Sequence, residues 1–216
     1  MRYDIAQTSL LLHSLVGIHR LMKPTANTTR ERIVAAASKL FYGQGVRAVS
    51  VDAVAEKAGL TKRTFYYHFA SKDELIAAYL ERRDQPNLGL FRHWFTESEG
   101  ELADKVAAIF HTLGQAARRP AWKGCGFLRT AAELADMPGH PAIRIGIAHK
   151  KRFEDWMKGV FEADGIRDAE LLARQILLLL DGSFATVLLN RDPSYMESAG
   201  AAAATLVRVA QGQRPL

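Results

Sequence analysis

The sequence predicts an all-α fold, in which a small N-terminal three-helix bundle with a helix-turn-helix precedes a larger C-terminal helical domain. Three observations support this prediction. Apolar residues recur at helical spacing, cap and turn residues separate these runs, and strand-like alternation never extends beyond a few residues. A chain of 216 residues can bury one sizeable core or two small ones.

The first helix is predicted to begin at Thr28. Thr28 and Glu31 have the spacing of a capping box, in which each side chain accepts a backbone N–H at the start of a helix. Apolar residues then recur at helical spacing, namely Ile33, Ala36, Ala37, Leu40 and Phe41. Gly43 and Gly45 are expected to end this helix.

Residues 50–75 predict a helix-turn-helix followed by the start of a third helix. Ser50 and Thr61 are placed to cap the two helices of the motif, and Gly59 supplies a positive φ at the turn. Apolar contacts between the helices are predicted at Val54, Ala55, Ala58, Leu60 and Phe65. Ser71 with Glu74 forms a second capping box and predicts a helix over residues 71–84.

Further helices are predicted over residues 88–95, 101–118, 126–136, 141–163, 168–189 and 196–209. The breaks between the later helices are predicted at Pro86, Gly100, Pro120, Gly139, Gly165 and Pro193.

Basic and aromatic residues crowd the second helix of the motif, and this pattern predicts contact with double-stranded DNA. Lys62, Arg63 and Thr64 lie at the N-terminal end, which reaches base edges in helix-turn-helix proteins. No acidic residue occurs between residues 61 and 72. Arg63 could fork onto a guanine or clamp a phosphate, and the sequence leaves both open. Phe65 and Phe69 are assigned to the core.

The motif resembles the signature of TetR-family transcriptional regulators, which closes with Tyr-x-His-Phe and then Lys-x-Glu-Leu. The matching residues are Gly59, Leu60, Thr61, Thr64, Phe65, Tyr66, His68, Phe69, Lys72, Glu74 and Leu75. The resemblance is specific over about residues 28–80. Beyond that it weakens, as expected for a family whose C-terminal domains diverge with their ligands.

The resemblance implies roles for the matched positions. Phosphate contacts are implied for Ser50, Lys72, His68 and Tyr66 or Tyr67, and major-groove contacts for Lys62, Arg63, Thr64 and Tyr67. The full set of predicted DNA-binding residues is Ser50, Thr61, Lys62, Arg63, Thr64, Tyr66, Tyr67, His68 and Lys72.

Composition agrees with a DNA-binding protein of the cytoplasm. The formal net charge is +6 and the sequence pI is about 9.5, which favours an acidic partner. The single cysteine, Cys125, excludes an internal disulfide and suits a reducing compartment. No membrane span is predicted, because Arg174 and Asp181 interrupt the most apolar stretch.

Residues 168–189 predict a helix that is apolar over most of its circumference and therefore needs cover on all sides. Together with the Ala-rich helix 196–209, it is expected to form a four-helix bundle with a second copy of the chain, a homodimer that the resemblance also implies. The predicted interface residues are Ile176, Leu179, Leu180, Phe184, Leu188, Ala202 and Leu206. The alternative is a buried central helix in a monomer.

Large apolar residues on different predicted helices suggest a cavity for a mostly apolar small-molecule effector. The predicted ligand-binding residues are Trp94, Phe95, Phe110, Trp122, Phe127, Met137 and Trp156. Ordinary core packing is the alternative for each of them. Cys125 is interpreted as a small buried residue, with a thiol sensor as the alternative.

Catalysis is not expected. The seven histidines show no metal-ligand spacing, and the chain has neither a phosphate-binding glycine loop nor a Gly-x-Ser-x-Gly elbow. No cofactor and no metal are predicted. The expected function is that of a homodimeric repressor that binds a palindromic operator and is released by a ligand. An activator, or a constitutive DNA-binding regulator without a small-molecule ligand, is the alternative.

Three segments are predicted. Residues 1–24 form an N-terminal extension, interpreted as lying upstream of a true start at Met22, with an additional packed helix as the alternative. Residues 25–75 form the helix-turn-helix DNA-binding domain. Residues 76–216 form the helical ligand-binding and dimerisation domain.

Overall fold

The computed structural model of the chain describes residues 28–212, which form nine helices and no strand. The predicted all-α fold is confirmed. The extension at residues 1–24 lies outside the described residues. The helices are α1 Thr29–Gln44, α2 Val51–Ala58, α3 Lys62–His68, α4 Lys72–Glu97, α5 Leu102–Ala117, α6 Gly126–Glu133, α7 Pro141–Ala163, α8 Ala169–Asn190 and α9 Ser194–Ala210.

The predicted start and end of α1 are confirmed. Thr28 Oγ1 accepts the N–H of Glu31 at 3.3 Å, and Glu31 accepts the N–H of Thr28 at 2.8 Å. The helix ends one residue before Gly45, whose φ of 93° favours glycine. Its inner face buries apolar side chains against α2 and α4, including Ile33, Ala37 and Phe41.

The helix-turn-helix is closed by local hydrogen bonds at the predicted residues. Ser50 accepts the N–H of Ala53 at 3.1 Å to cap α2, and Thr61 accepts the N–H of Thr64 at 3.1 Å to cap α3. Gly59 has φ 67° and ψ 41°, the left-handed conformation that ends α2. These three residues fix the angle at which α3 leaves the bundle.

Helix α4 is continuous over 26 residues, so the predicted break at Pro86 is wrong. Proline has no N–H and removes one helical bond, the one to the carbonyl of Arg82. The helix nevertheless continues because Leu88, Phe91 and Trp94, in the turns that follow, are buried in the C-terminal core.

The predicted Ser71 capping box is only half formed. Ser71 accepts the N–H of Glu74 at 3.1 Å, but the Glu74 carboxylate accepts the N–H of Ala70 at 2.8 Å rather than that of Ser71. The first turn of α4 is therefore closed one residue farther upstream than the motif predicts.

The C-terminal domain is built around α8, which packs against α7 on one side and α9 on the other. Helix α9 also packs closely on α5, where a Cβ atom at Gly200 would lie 2.8 Å from Phe110 Cβ. Among the described helices, α8 alone is long and apolar enough to cross a membrane by length and composition. Its inner side is a core stripe that includes Leu172, Ile176 and Leu180.

The segment around α6 joins the two halves of the molecule. Phe127 and Leu134 belong to the same apolar cluster as the cores of α1 and α3. Arg47, after α1, donates to the carbonyl of Glu133 and pairs with Asp136. Arg129 donates to the carbonyl of Tyr42 at 2.7 Å. Helix α6 and the residues that follow it are therefore held by contacts with the N-terminal bundle as well as with α7.

A buried polar pair lies where α4 meets α7. His149 Nδ1 is 2.7 Å from an Asp84 carboxylate oxygen, and the His149 ring stacks on Phe127 with centroids 3.8 Å apart. The other Asp84 oxygen pairs with Arg152. Burial is the main cause that lowers the pKa of His149 to about 4, against the bond from Asp84, which raises it. The histidine is therefore neutral in the folded protein near pH 7.

We expect this pair to make stability depend on pH. In the unfolded chain His149 has a pKa near 6.5, so between about pH 6.5 and pH 4 the unfolded state binds more protons than the folded state. Its contribution is complete above pH 6.5 and is lost as the pH falls, up to about 3 kcal/mol. Urea unfolding of His149→Gln should show a smaller loss of stability between pH 7 and pH 4.5 than the wild type. His111→Gln, at an exposed histidine, is the control, and an equal loss in all three proteins would contradict the assignment.

Candidate nucleic-acid interface

Helix α3 presents one face to the core and the opposite face to solvent. Phe65 and Phe69 are buried, as predicted, while Tyr67 is 84% exposed and Arg63 is also exposed. Tyr66 is half exposed, with its ring edge-on to Phe65 at 5.3 Å. A tyrosine side chain that is as exposed as that of Tyr67 contributes little to packing against the described residues. We call the solvent-facing side chains of Lys62, Arg63, Tyr66 and Tyr67 the reading face.

The two cations of α3, Lys62 and Arg63, differ in whether an acidic side chain pairs with them. Lys62 Nζ lies 3.0 Å from the Asp52 carboxylate of α2, and this hydrogen bond is the main cause that raises the pKa of Lys62. Arg63 has no such partner, since no carboxylate of residues 28–212 lies within 4.0 Å of its guanidinium. Arg63 is thus the cation of the reading face that a ligand can engage without first breaking an ion pair.

Three of the predicted DNA-binding residues have side chains occupied in helix caps. Ser50 and Thr61 accept backbone N–H groups, and the hydroxyl of Thr64 lies 2.9 Å from that of Thr61. Each hydroxyl retains capacity for at least one further hydrogen bond. Their fixed positions favour contact with a rigid phosphate backbone over adaptable contact with bases.

Lys72 and His68 lie at the margin of α3. Lys72 Nζ donates to the carbonyl of Arg47 at 3.1 Å, and partial burial lowers its pKa. The ammonium has two remaining donors. His68 is half-buried, with its ring edge-on to Tyr67 at 5.1 Å. The nine predicted residues therefore lie together on one end of the molecule, but only part of the set is free of intramolecular partners.

Sequence reasoning missed an exposed cation near the reading face. Lys57, in the last turn of α2, is exposed and forms no ion pair with the described residues. Its spacing from Lys62 and Arg63 could have indicated it, since the turn between α2 and α3 brings the end of one helix near the start of the next.

The predicted ligand-binding residues do not surround one cavity. Trp94 and Phe110 are buried in the C-terminal core, Phe95 packs edge-on against Trp156 at 5.7 Å, and Met137 is exposed in the loop after α6. Ordinary packing accounts for the four aromatic side chains, Met137 is exposed, and none of the five residues lines a cavity or groove of the described residues.

Trp122 and Phe127, by contrast, line a cavity and a groove respectively. Phe127 borders an open groove of about 360 Å³ between α6, α7 and α8, which also contacts Ile143, Ile147 and Leu177. Trp122 borders a more enclosed cavity of about 30 Å³ between the two halves of the chain. This enclosed cavity is lined by Tyr42, Arg83, Asn87, Phe91, Leu113, Trp122, Gly124, Cys125, Gly126, His149, Lys150 and Phe184.

The predicted dimer-interface residues fall into two groups. Ile176, Leu180 and Phe184 are buried in the core of their own protomer and are not available to a partner. The other four, Leu179, Leu188, Ala202 and Leu206, are half-buried or exposed. The exposed apolar face of α8 instead carries Leu171, Leu178 and Leu189. The sequence does not distinguish these two sides, because an apolar helix leaves open which side meets its own core.

Comparison with known proteins gives consistent results. A family model described as bacterial regulatory proteins of the tetR family matches residues 33–79. The transcriptional regulator TtgR of Pseudomonas putida is 37% identical over 188 residues, which cover 80% of this chain and 86% of TtgR. SrpR of Pseudomonas putida is 40% identical over 76 residues, but these cover 32% of this chain and only 36% of SrpR.

A solved structure matches over most of its length. The crystal structure of a TetR-family regulator from Streptomyces coelicolor superimposes with a TM-score of 0.71 at 30% identity, covering 84% of this chain and 95% of that one. The similarity therefore extends well beyond the helix-turn-helix.

Replacement of Arg63 by alanine should weaken DNA binding by about 1 to 3 kcal/mol, the range for one well-placed arginine contact. The side chain is exposed and unpaired, so the melting temperature should not change. Arg167→Ala removes the same charge at an exposed position in the loop between α7 and α8 and is the control. Fluorescence anisotropy with labelled duplex DNA at two salt concentrations measures the effect. Equal affinities for the two variants would place the DNA contact elsewhere.

Proposed function

We propose that this chain, which belongs to the TetR family of DNA-binding transcriptional regulators, is a homodimeric repressor that a small effector releases from a palindromic operator. The observation that carries the proposal is the reading face, which exposes Arg63 and Tyr67 on a short helix held by the Thr61 cap and two buried phenylalanines. An exposed basic and aromatic face on a helix of this motif suits the major groove of DNA. Members of this family regulate transcription and are not enzymes.

The proposed DNA contacts divide by the freedom of their side chains. Arg63 and Tyr67 would read bases in the major groove, because their side chains are exposed and free to reach base edges. Ser50, Thr61, Thr64, Tyr66, His68 and Lys72 would hold phosphates and set the register. Lys57 and Lys62 would add contacts at the edge of the same surface.

Two copies of the chain would associate through α8 and α9. Leu178 is 66% exposed and Leu189 is 82% exposed on the side of α8 that faces away from its own core. On α9, Tyr195 and Val209 are also exposed. Leucines placed this way are typical of an interface between helices. A two-fold axis through this face would place two reading faces on one side of a DNA duplex.

The proposed division of labour follows the chain. Residues 25–75 would bind DNA and residues 76–216 would bind the effector and the partner. Release would require an effector that binds better to a conformer whose reading faces no longer match the half-site spacing. The contacts of Arg47 with Glu133, and of Tyr42 with Gly124 and Arg129, are the path by which the two regions would be coupled.

Selection from random duplex oligonucleotides should enrich an inverted repeat. Two reading faces related by two-fold symmetry require half-sites about one helical turn apart, or a multiple of it. Affinity for the selected site should fall steeply with salt. Footprinting should then show two protected half-sites per dimer. Recovery of a single unrepeated site would contradict a symmetric dimer, and recovery of no DNA at low salt would contradict DNA binding by this chain.

Leu178→Glu should raise the dimer dissociation constant at least about ten-fold, because a carboxylate would be buried in an apolar interface. Ile147→Glu is the matched control, since Ile147 on α7 is 65% exposed but lies off the proposed interface. Sedimentation equilibrium across a range of protein concentrations measures both variants. A wild type that is monomeric at micromolar concentration would rule out the proposed assembly, whereas dissociation by both variants would place the interface elsewhere.

A further inference from the structure

The enclosed cavity between the two halves of the chain contains polar groups without partners. Within residues 28–212, Arg83 Nε and Asn87 Oδ1 are buried and neither has a hydrogen-bond partner. The two residues are four apart on α4 and so lie on the same face of that helix. Phe91, four residues farther, lines the same cavity. Unsatisfied buried polar atoms are costly, and each of them requires an explanation.

The positive charge at this cavity is not balanced. No carboxylate of the described residues lies within 4.0 Å of the Arg83 guanidinium. The guanidinium lies between two tyrosines, 4.8 Å from the ring centroid of Tyr42 and 5.7 Å from that of Tyr79. These contacts stabilise the cation but satisfy none of its N–H groups.

The neighbouring charges do not compensate Arg83. Lys150 pairs with Asp181, and Asp84 is bound by His149 and Arg152. Arg129, whose guanidinium lies 5.9 Å from the Tyr42 ring, adds a second cation to this region. The cavity therefore combines an excess of positive charge with one free acceptor, the Asn87 amide oxygen.

Part of the remaining wall of the cavity is apolar. Phe91, Leu113, Trp122 and Phe184 line it, and the rings of Trp122 and Phe184 stack with centroids 6.3 Å apart. Gly126 brings the backbone against Arg83, since a Cβ atom there would lie 3.3 Å from Arg83 Nε and 2.8 Å from Tyr79 Oη. A planar guanidinium fork at one end and aromatic walls at the other match a carboxylate with an apolar body.

We propose that this cavity binds a small organic carboxylate, with the carboxylate on Arg83 and the apolar body against Trp122 and Phe184. A hydroxyl on the ligand would satisfy Asn87. This assignment rests on the proposed function, because it names the chemical class of the effector. It also changes the expectation from the sequence, which predicts a mostly apolar molecule.

The position of the cavity supplies a link to DNA binding. Its volume of about 30 Å³ has room for one or two water molecules, so a carboxylate must widen it. One wall is Tyr42 of α1, whose hydroxyl donates to the Gly124 carbonyl at 3.3 Å and accepts the N–H of Lys123 at 2.9 Å. A ligand that widens the cavity strains these two bonds between the N-terminal bundle and the loop before α6.

The test is titration calorimetry of the full chain without DNA, using propionate and benzoate as probes and propionamide and benzamide as their neutral counterparts. At least one carboxylate should bind while its amide does not. Arg83→Met should weaken carboxylate binding at least about ten-fold, the value of a charge-assisted hydrogen bond. Arg82→Met, at the exposed neighbouring arginine, should bind as the wild type does.

Thermal unfolding shows whether a variant that loses carboxylate binding is still folded. Because Arg83 Nε is buried without a hydrogen-bond partner and no carboxylate of the described residues pairs with the guanidinium, Arg83→Met should melt at or above the wild-type temperature. Arg83→Gln, which removes the charge but keeps a polar side chain, is the second variant, for use if Arg83→Met does not fold, and it should lose carboxylate binding in the same way. Carboxylates that bind no better than the amides, or bind the wild type and Arg83→Met equally, would overturn the assignment.

The same carboxylates are then added to the complex with the selected DNA site. Carboxylate binding without loss of DNA would retain the anion site and overturn ligand release. If the protein binds its operator but binds none of the carboxylates, the proposed anion site is overturned and the proposed DNA binding is not.

Discussion

The structure depends on one continuous helix that belongs to two cores. The first turns of α4 bury Leu75 and Leu80 in the N-terminal bundle, and its later turns bury Leu88 and Trp94 in the C-terminal domain. Because the helix is unbroken between them, neither core can rotate without bending or shifting it. The position of the reading face relative to the C-terminal domain is set by this single element and by whatever restrains it.

Helix α6 is the second restraint, and it acts from the side. It places Phe127 in the N-terminal core, while Gly126 and Cys125 border the enclosed cavity. Cys125 lies 3.8 Å from Lys150 Nζ, and the pKa of Lys150 is raised in spite of its burial because Cys125 and Asp181 lie beside it. Polar contacts thus lie at the junction of the two halves of the chain. A shift of one half would alter the contacts made by the other.

The features that could be predicted are those encoded over a few residues. The caps at Thr28, Ser50 and Thr61 and the left-handed Gly59 each depend on neighbours three or four positions away, and each was found at its predicted place. The bonds of Arg47 to Glu133 and of Asp84 to His149 join residues far apart in the chain and leave no local pattern.

The helix boundaries and the apolar faces show the same limit. Pro86 reads as a break because the sequence does not reveal that tertiary packing continues on both sides of it. Ile176 and Leu178 are equally apolar, yet one faces the protomer core and the other faces solvent. Composition could not separate them, because the distinction depends on which side of α8 meets α7 and α9.

The ion pair between Lys62 and Asp52 has a consequence for how DNA would be searched. A lysine that carries its own carboxylate adds no net charge to the surface, so it displaces no condensed sodium ion from the duplex until that pair opens. The number of ions released on binding would then be smaller than the number of cations on the surface suggests. Attraction to DNA of arbitrary sequence would then be weaker, and base contacts would supply a larger share of the affinity. The protein would accordingly spend less time bound at incorrect sites as it slides along genomic DNA.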